Sequence, residues 1–438
     1  VIQDDAYNVV IKKAGSRGAE DHAPVMLQGH MDMVCEKRAG VEHDFEKDGL
    51  DLIIRDGRLT ANGTTLGGDN GVAVALMLMV LDDDEIEHPP VECVFTTEEE
   101  VGLNGAKALD KSVLKARTMI NMDSEDEGVA TVSCAGGLRV QFTKEIKRTT
   151  VQGSLLTLKV EGLLGGHSGQ DIDKERQNAD LLMARMIQRL LKETKGQLVS
   201  FNGGTKDNAI PRECEASLIY ESDEEAAKAE ELACELAETY AEELTPAEPD
   251  FSCEISCETN RTAEAIPQDA AKEFICAMRL APNGIQKRNI KMDGFVVVSL
   301  NLGVVRTEED RIVMIFSPRS SVASLQEDTK ERLNTLAETF GFTVSHSSEY
   351  PGWSFKEDSP VREICKESYK ELFGEDLKIE AIHAGLECGL FSDAIKGLDA
   401  IAIGPTIANC HTPDEYLTLD SFERFYEFLK DILSRLAK

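Results

Sequence analysis

At 438 residues, with 42% hydrophobic and 29% charged residues, the chain has a globular composition and is too long for one ordinary core, so two domains are expected. Its 47 Lys plus Arg stand against 80 Asp plus Glu, and the net charge of −33 argues against nucleic acid or an anionic membrane as a partner. The longest apolar run, Val72 to Leu81, is too short to span a bilayer.

The chain starts at Val1 rather than Met, apparently inside a strand, which suggests a missing N-terminal piece. In chain order, Pro24–Gln28, Val91–Thr96 and Thr118–Met122 read as buried strands, Gly71–Leu81 as a buried helix and Ala106–Leu114 as a shorter one. This alternation predicts an α/β sheet with helices on its faces. From about Ala135 the pattern changes. Strands are expected at Gly153–Glu161, Leu198–Asn202, Glu213–Tyr220, Asp250–Thr259, Phe295–Val305, Arg311–Ser317 and Thr343–Glu349. Helices are expected at Asn178–Thr194, Glu224–Glu243, Pro267–Leu280 and Ser324–Thr339. The pattern suggests an antiparallel sheet with helices on one face, built from two similar halves. The α/β character returns with helix Pro360–Phe373, strands Lys378–Ile382 and Ala400–Ile403, and helix Leu419–Leu436. Residues 1–135 and 349–438 are therefore expected to form one α/β domain, with 136–348 inserted as an α+β domain. The eleven cysteines are scattered through apolar stretches, which fits reduced, buried thiols in a cytoplasmic protein. Cys253 and Cys257 lack a second ligand pair for structural zinc and read as core.

Ligands of open α/β sheets bind beyond the carboxyl ends of the strands. Here those ends carry metal-type ligands. The first strand delivers His30 and Asp32, the second runs into Glu98-Glu99-Glu100, the third ends at Asp123, and the strand Ala400–Ile403 leads through a loop to His411. Asp69 sits at the start of the buried helix. Taken singly, each has a duller explanation: a satisfied histidine, turn chemistry at Asp-Asn-Gly, a solvated run of Glu. Together, two imidazoles and three carboxylates on adjacent loops suit a pair of zinc ions with one carboxylate bridging. The spacing His30-x-Asp32 also suits a carboxylate that fixes the tautomer of a metal-bound imidazole. Spacing alone does not say which of the consecutive glutamates is a ligand and which a base.

The pieces Gln28-Gly-His-Met-Asp32, Leu66-Gly-Gly-Asp-Asn-Gly71, Thr97-Glu-Glu-Glu-Val-Gly102 and Asn121-Met-Asp-Ser-Glu125 resemble the co-catalytic zinc peptidases of the carboxypeptidase G and aminoacylase superfamily. Within it, Gly165-Gly-His-Ser-Gly169, Asn208-Ala-Ile-Pro-Arg212, Tyr350-Pro-Gly-Trp353 and His383-Ala-Gly-Leu-Glu-Cys-Gly389 are similar to the aminoacyl-histidine dipeptidases, also called cytosol non-specific dipeptidases. The resemblance covers essentially the whole chain, although the family normally has some tens of residues before the point corresponding to Val1. It implies a mixed-sheet zinc-peptidase catalytic domain with an inserted lid. Two divalent cations are implied, zinc first, with manganese and cobalt as alternatives. Asp69 would bridge them, His30 and Asp123 would complete one site, and Glu100 and His411 the other. Asp32 would orient His30, Glu99 would be the general base, and Glu98 would stand outside the ligand set. His167 would stabilise the oxyanion, Asn208 and Arg319 would meet the peptide's carboxylate, and His383 and Glu387 would lie in a substrate-contacting loop. A cis Asp69–Asn70 peptide bond is also implied. Trp353 reads as a packing residue at the domain junction.

The expected activity is hydrolysis of dipeptides, of the Xaa-His type or with broad specificity. An aminoacylase, carboxypeptidase or tripeptidase shares the metals and is the near alternative; a non-catalytic binding protein on the same fold is the remote one. A serine hydrolase would need a Gly-x-Ser-x-Gly elbow, which is absent. The expected partner is a short peptide substrate, and a homodimer through the lid domain is an option the sequence leaves open.

Overall fold

The computed structural model describes residues 1–290 and 294–438 and divides the chain into two compact units, Val1–Cys134 with Pro351–Lys438, and Ala135–Tyr350. The first unit is built on an eight-stranded mixed sheet. Its strand order is Ile2–Gln3, Val9–Lys13, Val91–Thr96, Val25–His30, Thr118–Asn121, Asp399–Ala402, Val129–Cys134 and Lys378–Ile382. The central strands Val91–Thr96, Val25–His30, Thr118–Asn121 and Asp399–Ala402 run parallel. Their carboxyl ends therefore share one edge of the sheet. Every residue of Val25–His30 and of Val91–Thr96 is buried, the polar Gln28, His30, Glu92 and Thr96 included, which is why they read as buried strands rather than alternating ones.

Two parts of this unit depart from expectation. The helix expected at Ala106–Leu114 is a short helix, Asn104–Ala108, followed by a 3-10 turn at Lys111–Val113, because Asp110 accepts a bond from Ser112 N–H and restarts the turn. A separate four-stranded sheet, in the order Ile407–Ala408, Tyr416–Thr418, Arg58–Ala61 and Leu52–Arg55, has no counterpart in the sequence reading. Its hairpin turns at Asp56-Gly57, both at positive φ.

Trp353 is buried with Cys134 and Phe391 in the core of the first unit. It exchanges two backbone hydrogen bonds with Cys134, at 3.0 and 2.9 Å, so the strand leaving this unit and the strand returning to it are tied together. All eleven cysteines are free; Cys35 and Cys234 are exposed, and Cys253 and Cys257 are half-buried at the margin of a core rather than inside it. Among the described residues no helix is long and apolar enough to cross a membrane.

The second unit is one antiparallel sheet of nine strands. Four helices, Ala179–Glu193, Asp223–Leu244, Gln268–Leu280 and Ala323–Thr339, share a core with one of its faces. Strands Thr149–Glu161, Gln197–Gly203, Cys214–Tyr220 and Ser252–Ala265 make one half, in spatial order fourth, first, third, second. Strands Gly136–Glu145, Val296–Thr307, Arg311–Ser320 and Thr343–Tyr350 repeat that order in mirror sequence. The halves meet where the second strand of each pairs, at Gly203 and Val305. The first half is thus nested in the chain between the first strand and the first helix of the second.

The core of this unit is aromatic at its centre, with the Phe142 and Phe316 rings 4.9 Å apart and both side chains fully buried. Phe316→Ala is expected to lower the stability of this unit by about 3–5 kcal/mol. Urea unfolding followed by hydrogen exchange of its strands checks this, and a loss below about 1 kcal/mol would contradict the packing described.

Candidate active site

His30 closes the strand Val25–His30, and Glu99, Glu100 and Asp123 follow the ends of its two parallel neighbours. The residue before His30 must be glycine, since a Cβ on Gly29 would lie 2.3 Å from both Ala73 Cβ and Asn70 Oδ1. The helix carrying Asp69 can therefore approach this strand end. His411 comes from the small sheet, on the loop between Ile407–Ala408 and Tyr416–Thr418, at a φ of 64°.

The side chains converge on Asp69. His30 Nε2 lies 3.0 Å from Asp69 Oδ1 and 3.6 Å from Asp123 Oδ1. His411 Nε2 lies 3.2 Å from Asp69 Oδ2 and 3.0 Å from Glu100 Oε1. The two carboxylate oxygens of Asp69 thus face two different groups, each an imidazole with a second carboxylate. The other ring nitrogen of His30 lies 3.0 Å from the Asp32 carbonyl oxygen and 3.5 Å from its carboxylate, so the backbone of Asp32 orients the ring more closely than its side chain does. The Asp32 carboxylate instead accepts from Glu100 N–H at 3.1 Å and fixes the turn that carries the glutamates.

Backbone supports hold Asp69 in place. Its peptide bond to Asn70 is cis. Asn70 donates to Met122 carbonyl at 2.8 Å, which ties the helix start to the loop of Asp123. Buried Glu415 accepts from the N–H groups of Leu66, Gly67 and Asp69, at 2.8, 2.9 and 3.2 Å. Sequence reasoning missed Glu415, although it stands four residues after His411 in His-Thr-Pro-Asp-Glu. It also missed Glu125 and Cys410, whose ligand atoms lie within 4.8 Å of Asp69 and of each other.

The electrostatics are those of a site short of positive charge. Burial disfavours charge on His30, but hydrogen bonds with Asp123, Asp32 and Asp69 outweigh it and raise its pKa far above the usual range. His411 is raised to about 9, first by its bond to Asp69. Burial, and then the charge of Asp123, push Glu99 up to about 8. Asp123 and Glu100 are raised as well, chiefly by burial. Glu100 Oε1 is buried and receives no hydrogen bond, although His411 Nε2 stands 3.0 Å away. Oxygens and imidazole nitrogens in this arrangement fit divalent cations, with His30, Asp123 and one oxygen of Asp69 able to hold one, and His411, Glu100 and the other oxygen a second.

The remaining candidates divide. Glu98 is exposed and accepts from Asn104, away from this cluster. Glu387 does not lie in an open loop: it is the first residue of helix Glu387–Ala394, is fully buried, and accepts from Thr96 Oγ1 at 2.7 Å and from Gln28. Gln28 in turn accepts from Asn121 at 2.6 Å, so Glu387 belongs to a buried network with Thr96, Gln28 and Asn121. Burial pushes its pKa up to about 7. His383 directly follows strand Lys378–Ile382 and is buried.

His167, Asn208 and Arg319 belong to the second unit. There His167 pairs with Ala209 in a two-residue ribbon, next to Asn208. His167 Nδ1 accepts from the N–H groups of Gly169 and Gln170, which leaves the proton on Nε2. Burial and the charge of Arg319 lower its pKa and keep it neutral. Arg319 is buried, donates to Tyr350 OH at 2.9 Å, and keeps a buried Nε with no hydrogen-bond partner.

Comparison with known proteins gives the family. The model of peptidase family M20/M25/M40 matches residues 26–435, and the chain belongs to that family of peptide hydrolases. It is 35% identical to the cytosol non-specific dipeptidase of Escherichia coli over 442 residues, which cover 100% of this chain and 90% of the relative. The crystal structure of aminoacylhistidine dipeptidase from Vibrio alginolyticus superimposes with a TM-score of 0.93 at 36% identity, covering 99% of this chain and 89% of that one. Aminopeptidase PepT from Bacillus cereus shares the fold, with a TM-score of 0.54 at 16% identity over 100% of this chain and 88% of that one.

Two tests follow. His411 and Glu99 both have raised pKa values, so the metal-free fold binds protons that the unfolded chain releases at lower pH. For His411 that stabilisation is complete below the unfolded value of 6.5 and is lost as pH rises through about 9. Glu99 acts in the same direction, from 4.5 up to about 8. Melting of chelator-treated protein should therefore show Tm falling between pH 6.5 and 9, and a rising Tm would contradict these shifts. Separately, Glu415→Ala removes the acceptor for three backbone N–H groups and should weaken cation affinity, measured by competition with a chelator, by about tenfold.

Proposed function

We propose that the chain is a metal-dependent dipeptidase that hydrolyses short peptides of the Xaa-His type or with broad specificity. The observation that carries this reading is the division of the Asp69 carboxylate between two imidazole–carboxylate groups. Membership of the peptidase family and full-length likeness to two dipeptidases support it. His30, Asp123 and Asp69 are assigned to one cation and His411, Glu100 and Asp69 to the other, with zinc first and manganese or cobalt as substitutes. Two divalent cations there would polarise the scissile carbonyl and make water acidic enough to attack near neutral pH.

The chain's own residues do the rest. Glu99 accepts the proton of the attacking water as the C–O bond forms, and returns it to the amine nitrogen as the C–N bond breaks. The elevated proton affinity of Glu99 suits both halves of this exchange. Asp32 keeps His30 oriented through its carbonyl. The inserted unit is assigned the part of a lid: His167 offers Nε2–H to the developing oxyanion, and Arg319, with its unpaired Nε, and Asn208 meet the peptide carboxylate. Buried Glu387 is assigned to holding the ligand scaffold, and His383 keeps the substrate contact. Likeness to a cytosol non-specific dipeptidase of Escherichia coli supports a cytoplasmic location.

The test is to strip the protein with chelator, reload it with zinc, manganese or cobalt, and assay dipeptides, tripeptides and N-acyl amino acids. Dipeptides should be hydrolysed at least ~100-fold faster than the other classes. Preference for N-acyl amino acids would favour an aminoacylase, and hydrolysis of none would favour a binding protein. Three variants resolve the run of glutamates. Glu99→Gln should keep its cations and lose at least ~100-fold in kcat, Glu100→Gln should lose cation, and Glu98→Gln should change neither. Loss of metal from Glu99→Gln with retention in Glu100→Gln would shift the assignment by one residue.

A further inference from the structure

The small four-stranded sheet has two unlike faces. Side chains alternate along a strand, and those of Leu59, Ala61, Ile407 and Leu417 pack on one face into a core cluster of the first unit. The opposite face carries Ile53 across from Thr60 and Arg55 across from Arg58, with Tyr416 beside Thr60 on the next strand. This second face floors a cavity of about 910 Å³, walled by Arg38 and by loop residues 409 and 412–415, on either side of His411. The whole cavity belongs to the first unit, and no residue assigned to either cation lines it.

The two arginines of this face are placed against their own repulsion. Like charges directly opposite on neighbouring strands destabilise a sheet, and Arg55 stands directly opposite Arg58 across the turn. With 80 Asp plus Glu in the chain, carboxylates to neutralise them are plentiful. Among the described residues, however, neither side chain has a hydrogen bond or an ion pair. Arg58 is instead held over the Tyr416 ring, its guanidinium carbon 4.1 Å from the centroid. Stacking of that kind occupies the flat face of a guanidinium and leaves its N–H edges to other partners. The carboxylates bordering the cavity do not supply them. Asp414 pairs with Arg38, and Glu415 accepts from the N–H groups of Leu66, Gly67 and Asp69. Asp56, in the turn itself, forms no ion pair among the described residues.

We propose that Arg55 and Arg58 form an anion site that takes a phosphate dianion, either free or carried as the monoester of a small molecule. The choice of phosphate follows from counting charges and acceptors. A carboxylate brings one charge and two oxygens, which satisfy a single guanidinium fork. A phosphate dianion brings two charges and three terminal oxygens, so it neutralises both arginines and accepts from both forks. Its arrival turns the repulsion between Arg55 and Arg58 into two attractions to one group. The cavity is of the size that small-molecule sites have, which leaves room for an ester group over Ile53 and Thr60. The site stands one loop away from the candidate metal centre, since the loop that walls it is the one that carries His411.

Equilibrium dialysis against radiolabelled phosphate, at fixed ionic strength, tests this. It is run on the metal-loaded chain and again after chelator treatment, so that phosphate held by bound cations is told apart. Both forms should bind one phosphate at Arg55 and Arg58 with a Kd of ~1 mM or tighter. Arg55→Ser and Arg58→Ser should each weaken binding by about tenfold or more, and Arg55→Lys should weaken it too, because an ammonium keeps the charge and lacks the fork. Arg332→Ser, at an exposed arginine of the second unit, should change nothing. Cation content should be the same in all four variants. Phosphoserine displacing the label at least ~tenfold better than unlabelled phosphate identifies a monoester as the ligand, and equal displacement identifies free phosphate. Acetate at tenfold excess should displace neither. Absence of saturable binding below ~10 mM in the chelator-treated chain, or undiminished binding in the Arg55→Ser/Arg58→Ser double variant, overturns the proposal. Equal loss in Arg332→Ser, or displacement by acetate, overturns it as well.

Discussion

The arrangement depends on a local excess of carboxylate. Asp69, Glu99, Glu100 and Asp123 are gathered with only the imidazoles of His30 and His411 to balance them. Buried carboxylates at such spacing repel each other and lose hydration, and without metal the result is protons held too tightly on both imidazoles and on Glu99. Divalent cations, in the proposed sites, would relieve all of these costs together. The surrounding structure is what keeps the charges from relaxing apart in their absence.

That restraint comes from backbone contacts rather than from the ligands. Glu415 gathers three N–H groups of the Leu66–Asp69 turn, Asn70 ties the same turn to Met122, and Asp32 fixes the N–H of Glu100. Parallel strands place the three ends side by side at no further cost, because their register aligns His30 with Thr96 and Gln28 with Asn121. The small sheet contributes His411 from a distant part of the chain. A supporting carboxylate, Glu415, therefore stands four residues from the candidate ligand His411 on one loop.

Much of this was legible in the sequence, for definable reasons. Buried strands such as Val91–Thr96 and capped helices such as Pro360–Phe373 announce their own boundaries, the latter through Ser359 accepting from Arg362 N–H and Gly374 at positive φ. The candidate ligands at strand ends are visible because each ends or follows a buried strand. The hairpin Leu52–Ala61 was missed although Asp56-Gly57 is a strong turn signal, because its apolar run Leu52–Ile54 is short and exposed and never builds a buried pattern. Glu387 was expected in a substrate-contacting loop through the resemblance of its stretch, and only tertiary structure reveals the helix start it occupies and the buried Thr96 and Gln28 that donate to it. Helix Ala179–Glu193 begins one residue after Asn178, whose side chain caps it, so its expected start was a matter of cap convention.

The nesting of the second unit has a consequence for how the chain is made. Strand Gly136–Glu145 leaves the ribosome early, yet its partners are Arg311–Ser320 and Thr343–Tyr350, which are synthesised far later. The half that contains Thr149–Glu161 and Ser252–Ala265 is complete first and can form its sheet while translation continues. For that interval Gly136–Glu145 is an unpaired strand bearing Leu138, Val140 and Phe142, all destined for the core. The first unit waits longer still, since Asp399–Ala402 and Lys378–Ile382 complete its sheet from the far end of the chain. An arrest of synthesis between the two halves would thus release one self-contained fold flanked by sticky, partnerless strands, the form of the chain most in need of a chaperone.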